Sequence, residues 1–294
     1  MIRHFDWFVA VDWSGAKGER HTSIAMAVAH ADGGPPVLVK RERGWSRHEV
    51  LAVLRDDLPE NALVGLDLGI ALPFADEGAY FPGWHRSPAD AKALWHLVDL
   101  ICEGDENLSA SGFVDHPDLA RYFRRPGGRE GDRFGANGRK GGRGRFRVTD
   151  SAQEAAGCKP SSNFNLVGAA QVGKSSLTGM RVLNRLAGAL PVWPIDPLPE
   201  SGSVLVEIYT ALAAISAGRR AGRSKIRSCE ELDTALTTLG SPSIRGTGAI
   251  DDHSSDALLT AAWMRVNAHR LDLWSPEGLT PRISRTEGGT FAVP

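Results

Sequence analysis

Apolar residues in this chain gather into short runs that end in an acid. Phe8-Val9-Ala10-Val11 leads to Asp12 and a Ser14-Gly15 turn, the pattern of a buried strand that delivers a carboxylate to a sheet edge. Residues 21–29 alternate, with Ile24, Met26 and Val28 on one side, and after the Asp32-Gly33-Gly34 turn Val37-Leu38-Val39 begins a third strand. Three antiparallel strands are therefore expected first. Ser46 stands three residues before Glu49, a capping-box spacing, and Val50, Leu51, Val53, Leu54 and Leu58 follow at helical intervals. Ala62-Leu63-Val64-Gly65-Leu66 then repeats the opening run and ends in Asp67. A strand reached through a helical crossover normally runs parallel to its predecessor, so the Asp67 strand is expected beside the Asp12 strand. Neighbouring strands lie about 4.8 Å apart, and both carboxylates would face one space at the carboxyl ends of the sheet.

Residues 70–200 read as a long insert. Within it, residues 87–103 are expected to be helical, with Ser87 and Pro88 at the start and Leu94, Leu97, Val98 and Ile101 on one face. After a proline-rich connector at 191–199 comes Val204-Leu205-Val206-Glu207, a third apolar strand carrying an acid. Residues 230–239 read as a helix. Asp251-Asp252-His253 then opens a helix of small and apolar residues in which Asp252, His253 and Asp256 share a face near the start. Residues 290–293 complete the pattern as an edge strand. The sum is an α/β chain with a mixed five-stranded sheet, the first three strands antiparallel and the rest parallel, flanked by helices in a single domain spanning 1–294.

Composition narrows the class without changing this picture. In 294 residues, 42% hydrophobic and 23% charged, there is material for a sizeable core and no apolar run near the ~20 residues that span a bilayer. Asp6 and Asp12 interrupt the N-terminal apolar stretch, so no signal peptide and no membrane partner are expected, and the location is read as cytoplasmic. Cys102, Cys158 and Cys229 are odd in number and far apart, which suggests neither a disulfide framework nor a zinc site.

The net charge of −1 conceals segregation. Residues 124–147 hold nine Lys or Arg against Glu130 and Asp132, among eight glycines, with Phe134 and Phe146 interspersed. Such a segment reads as a mobile loop, either a solvated insert or an arm in which Arg139, Lys140, Arg143 and Arg145 neutralise phosphates and Phe stacks on bases. Arg219, Arg220, Arg223, Lys225 and Arg227 form a second basic run, solvated or near a polyanion. Residues 168–175 match the phosphate-loop pattern G-x-x-x-x-G-K-S, but the preceding Pro160-Ser-Ser-Asn-Phe-Asn-Leu-Val is too polar for the strand such a loop follows. Lys174 is then either an exposed residue of a glycine turn or a contact to substrate phosphate. Nucleotide binding through this loop stands as an alternative.

Each acid has a bland reading: Asp12 as a turn cap, Asp251 and Asp252 as helix caps, His253 as a neutral core residue. Their order along the chain points elsewhere. Val-Asp12-Trp-Ser-Gly-Ala, Gly65-Leu-Asp67 followed by Leu72-Pro73, Val206-Glu207-Ile-Tyr and Asp252-His-Ser-Ser-Asp256-Ala-Leu resemble the predicted ribonuclease H-like nucleases numbered 429 among the domains of unknown function. The resemblance implies a ribonuclease H-like sheet and one metal site assembled from the acids. Two features depart from it: Thr210 stands where the family often has Pro, and His253 where related Holliday-junction resolvases often carry a second acid.

Asp12, Asp67, Glu207 and Asp256, with Asp252 and His253 beside them, are the expected catalytic and metal-binding residues. Two Mg²⁺ or Mn²⁺ ions about 4 Å apart would serve phosphodiester hydrolysis of RNA, DNA or a junction. A nucleic-acid-binding protein of the same fold without catalysis is the competing expectation.

Overall fold

A computed structural model of the chain describes residues 3–127, 129–138, 142–168, 171–220 and 225–293. β1 (Trp7–Asp12), β2 (Ala25–His30) and β3 (Val37–Leu38) form the expected antiparallel meander. α1 (Arg47–Asp56) follows, and its capping box is complete: Glu49 N–H donates to Ser46 Oγ at 3.1 Å, and Ser46 N–H donates to Glu49 Oε2 at 2.8 Å. β4 (Ala62–Asp67) then runs parallel to β1 in a register that sets Asp12 directly beside Asp67.

The insert carries α2 (Ala91–Ile101), α3 (Ser111–Asp115), a two-residue hairpin of β5 (Arg124–Arg125) and β6 (Arg129–Glu130), α4 (Val148–Ala155) and α5 (Val172–Leu186). α2 starts later than its sequence suggests. Asp90 rather than Ser87 is its cap, accepting from Ala93 N–H at 2.9 Å, while Ser87 accepts from Phe81 N–H.

β7 (Val192–Trp193) and β8 (Val204–Glu207) complete the sheet in the order β3-β2-β1-β4-β8-β7, with both parallel to β4. The sheet thus has six strands rather than five. The extra one is a short edge strand inside the proline-rich connector, too brief to show a hydrophobic period. α6 (Thr210–Ser216), α7 (Cys229–Thr238), α8 (Asp252–Asn267) and α9 (Pro281–Thr286) follow. Residues 290–293 contribute only an isolated bridge from Thr290 to Glu207.

Alternation along the strands builds two cores. Val9, Val11, Val64, Leu66 and Leu205 face a layer containing α1, α2 and α5, whereas Phe8, Ala10, Leu63, Val204 and Val206 face α6, α7 and α8. The insert extends the first core with an aromatic cluster in which Phe81 packs against Trp84, Phe113, Tyr122 and Phe164. The three cysteines are buried and free. Among the described residues no helix is long and apolar enough to cross a membrane.

α8 lies close over the sheet because Gly65 removes a side chain beneath it. A Cβ there would stand 2.6 Å from Ile208 Cγ2 and 2.9 Å from Met264 Sδ. Gly65→Val is therefore expected to destabilise the fold by about 1–3 kcal/mol through overpacking, measured as a lower urea midpoint.

Candidate acidic site at the carboxyl ends of the parallel strands

Parity decides which acids meet. Asp12 and Asp67 end paired strands on the face that carries Ala10 and Leu63, the face covered by α8. The start of α8 brings its own acids to that place: Asp251 caps the helix through Ser254 N–H at 2.8 Å, and Asp256 lies a turn further in, buried. His253 reaches back so that its Nδ1 lies 3.1 Å from Asp12 Oδ2. Thr210, at the start of α6, donates to Asp67 Oδ2 at 3.2 Å. Asp12, Asp67, Thr210, His253 and Asp256 border one cleft of about 480 Å³.

The turn after Asp12 is held from two sides. The buried Arg47 guanidinium of α1 donates to Ser14 O at 3.0 and 3.2 Å, to Ala16 O and to Asn107 O at 2.9 Å. Burial, with Arg181 nearby, pulls this guanidinium down to about 10. On the other side Trp13 donates its indole N–H to Thr178 Oγ1 of α5 at 3.0 Å. Gly15 lies so close to α5 that a Cβ would fall 2.4 Å from the Lys174 carbonyl carbon and the Ser175 nitrogen. The glycine of the opening motif is thus a close-packing requirement.

The carboxylates are short of positive charge. Burial pushes Asp12 above the usual carboxylate range, against the hydrogen bond from His253 and the charge of Lys225, which pull it down. Asp67 is raised well above that range by burial and then by the charges of Asp12 and Asp256. Burial raises Asp256 to about 6 despite the ion pair with Lys225. Lys225 Nζ sits 2.9 Å from Asp256 Oδ2 and 3.9 Å from Asp252 Oδ2, and Asp252 also meets Arg227 Nε at 3.3 Å. Burial alone would lower the Lys225 ammonium; Asp256 more than offsets it and raises the group. The hydrogen bond with Asp12 raises His253.

Glu207 stands apart. It pairs in register with Leu66, one residue short of Asp67, and so points to the opposite face of the sheet. There Arg147 grips it with Nη1 at 2.6 Å from Oε2 and Nη2 at 2.7 Å from Oε1. Ile70 N–H at 2.8 Å and Thr290 Oγ1 at 2.5 Å occupy it further. Arg147 also donates from Nη2 to Asp150 Oδ1 at 2.8 Å, and all three charged side chains are buried. Glu207 borders the acidic cleft, yet its oxygens are spent on this ion triad.

The basic segment is likewise not the free arm its composition suggests. Arg145 is 2% exposed and donates to Asp76, Tyr80 O, Pro73 O and Ala79 O, so it is enclosed by protein acceptors rather than held out to a phosphate. Arg143 is exposed but bonds Glu154 and Pro160 O and stacks over Phe146. Phe134 is buried beneath Arg124. Arg139 and Lys140 lie outside the described residues. Lys174 does border the cleft, in the first turn of α5, with its ammonium on Gln171 Oε1 at 2.7 Å. No strand precedes that helix among the described residues of 158–171, so the strand–loop–helix context of a nucleotide loop is missing.

As a donor set, Asp12, Asp67 and Asp256 offer the carboxylate oxygens that Mg²⁺ and Mn²⁺ prefer. They line one cleft without closing on one point: among the described residues no three His, Cys, Asp or Glu side chains are grouped to hold a metal ion. Comparison of the chain with protein-family models, with curated proteins and with solved structures returns no match.

The two ion-pair systems should respond differently to loss of their cation. Arg147→Met strands two buried carboxylates and is expected to cost about 3–5 kcal/mol in urea unfolding. Lys225→Met, which breaks a half-exposed contact, is expected to cost less than about 1 kcal/mol.

Proposed function

We propose that the chain is a metal-dependent phosphodiester hydrolase of ribonuclease H-like architecture, acting on nucleic acid. The observation that carries this reading is the register pair Asp12 and Asp67 at the ends of parallel strands, joined by Asp256 from α8 in one cleft. The strand order, with an antiparallel meander followed by parallel strands through helical crossovers, is consistent with it. Three carboxylates raised above their usual range, chiefly by burial, lie in one cleft, and a divalent cation would favour their charged forms.

Asp12, Asp67 and Asp256 would hold the ion. Glu207 belongs to the scaffold, since removing it from Arg147 would expose a buried guanidinium. When bound, the ion supplies Lewis acidity at a phosphoryl oxygen and lowers the pKa of an attacking water. The chain's own residues supply the rest. Thr210 fixes the orientation of Asp67, and Arg47 fixes the turn that follows Asp12. His253, held by Asp12 and partly open to the cleft, is placed to take a proton from water. Lys159, Lys174 and the N-terminus of α5 line the same cleft and would receive the phosphates on either side of the scissile bond. A cleft of this size fits one or two nucleotides of a strand.

The test is cleavage of labelled single-stranded, duplex and junction RNA and DNA with Mg²⁺ or Mn²⁺. Hydrolysis that disappears with a chelator and falls about a hundredfold or more in Asp12→Asn and Asp67→Asn is the expected result. Lys174→Ala is expected to raise KM with kcat nearly unchanged. Cleavage that survives Asp12→Asn, or salt-sensitive binding without cleavage at any metal concentration, would overturn the assignment.

A further inference from the structure

Of the three tyrosines, one is set apart. Tyr80 and Tyr122 are buried in the aromatic cluster of the insert, packed against Phe81, and each donates its hydroxyl to a backbone carbonyl. Tyr209 follows the end of β8 in extended backbone as the N-cap residue of α6, is only partly buried and borders the acidic cleft. Its hydroxyl donates to Lys159 O at 3.4 Å, which ties down the edge of the ring. Among the described residues no other aromatic ring and no guanidinium stacks on it.

Charge around this ring is divided. Asp12, Asp67, Asp252 and Asp256 form one cluster, and Lys225 is engaged inside it: its ammonium meets Asp256 and Asp252, and its charge also acts on Asp12. Lys159 and Lys174 border the same cleft with no acidic partner among the described residues, Lys174 resting on the neutral Gln171 Oε1 at 2.7 Å. Tyr209 adjoins both groups. Burial first, and then the charge of Asp67, raise its hydroxyl, and that hydroxyl lies on Lys159.

A partly exposed ring beside unpaired ammonium groups can hold a base by stacking and its phosphates by charge, whichever base it is, since every base has a π-face. The acid cluster repels phosphate, so the backbone of a bound strand keeps to Lys159 and Lys174 and turns its base to Tyr209. In a duplex, neighbouring bases cover both faces of each base, and one of them reaches Tyr209 only when unpaired and unstacked. We propose that Tyr209 is the platform for one unpaired nucleobase, with Lys159 and Lys174 on its flanking phosphates, so that the cleft takes single-stranded nucleic acid in preference to duplex. The inference rests on the nucleic-acid reading above and uses no bound ion.

The test is fluorescence anisotropy of the full chain with a short labelled single strand, RNA or DNA, and with the matching duplex, in EDTA so that binding is read without cleavage. The wild type is expected to bind the single strand about tenfold or more tighter than the duplex. Tyr209→Leu is expected to weaken single-strand binding about tenfold with the urea midpoint little changed, whereas Tyr209→Phe, which loses the hydroxyl and keeps the ring, stays within about twofold of wild type. Lys159→Gln is expected to reduce the slope of log K against log salt by about 0.7, the value for one phosphate of a single strand. A single strand carrying 5-bromouracil, irradiated on the wild type, is expected to crosslink to Tyr209, a readout that requires no variant to fold. Duplex bound as tightly as single strand, Tyr209→Leu equal to wild type, Tyr209→Phe as weak as Tyr209→Leu, an unchanged salt slope in Lys159→Gln, or a crosslink only at other residues each overturns the proposal. So does a free nucleoside monophosphate that binds as tightly as the strand. If no nucleic acid binds in EDTA and none is cleaved with Mg²⁺ or Mn²⁺, the nucleic-acid reading itself is overturned; cleavage in which Tyr209→Leu matches wild type overturns the stacking platform alone.

Discussion

A carboxylate removed from water must meet a positive charge or give up its own, and one edge of this sheet gathers enough carboxylates to make that requirement dominate the structure. It is met in two ways. Glu207 and Asp150 share a buried guanidinium, a closed arrangement in which each oxygen has a donor. Asp12, Asp67 and Asp256 meet, among the described residues, a histidine, the hydroxyl and backbone N–H of one threonine and a half-exposed ammonium, and their side chains remain open to a cleft. The first arrangement has the completeness of a structural joint. The second has the incompleteness of a binding site.

The distinction follows from strand parity. β1 and β4 are in step, so their final aspartates leave the sheet on the same side; β8 ends one position earlier, and its acid leaves on the other. A single residue of register thus separates a carboxylate open to the cleft from one closed in an ion triad. Arg147 makes the same point from its partner's side. It comes from the insert and ties that insert to β8, while Glu287, at the end of α9, ties the insert to the C-terminal part of the chain by accepting from Phe74, Ala75 and Val148 N–H.

Much of the frame was legible in the residue pattern because it depends on local signals. The runs ending at Asp12 and Asp67, the Ser46/Glu49 cap and the helix bearing His253 and Asp256 all have periods or spacings that need no distant partner. The opposite holds for Arg145 and Arg147. In a segment rich in Gly and Arg they read as solvated charge, because their partners Asp76 and Glu207 lie more than fifty residues away. Lys225 was visible only as one member of a basic run; nothing in that run marks it as the residue that meets Asp256. β7, two residues long, is set by its neighbour β8 and has no pattern of its own.

The separation of these partners along the chain also orders their appearance on a ribosome. Strands β1 and β4 are complete within the first 67 residues, so their two aspartates can pair edge to edge long before Lys225 or His253 has been made. Until then the Asp12–Asp67 repulsion is opposed by the backbone ladder between β1 and β4 and by the apolar burial around it. The later parts of the chain supply the rest in turn: Lys225, then α8 with His253 and Asp256, and last Thr290 with the final hydroxyl on Glu207. A chain stopped before α8 would carry Asp12 without His253 at an uncovered sheet face, a recognisable mark of an unfinished molecule.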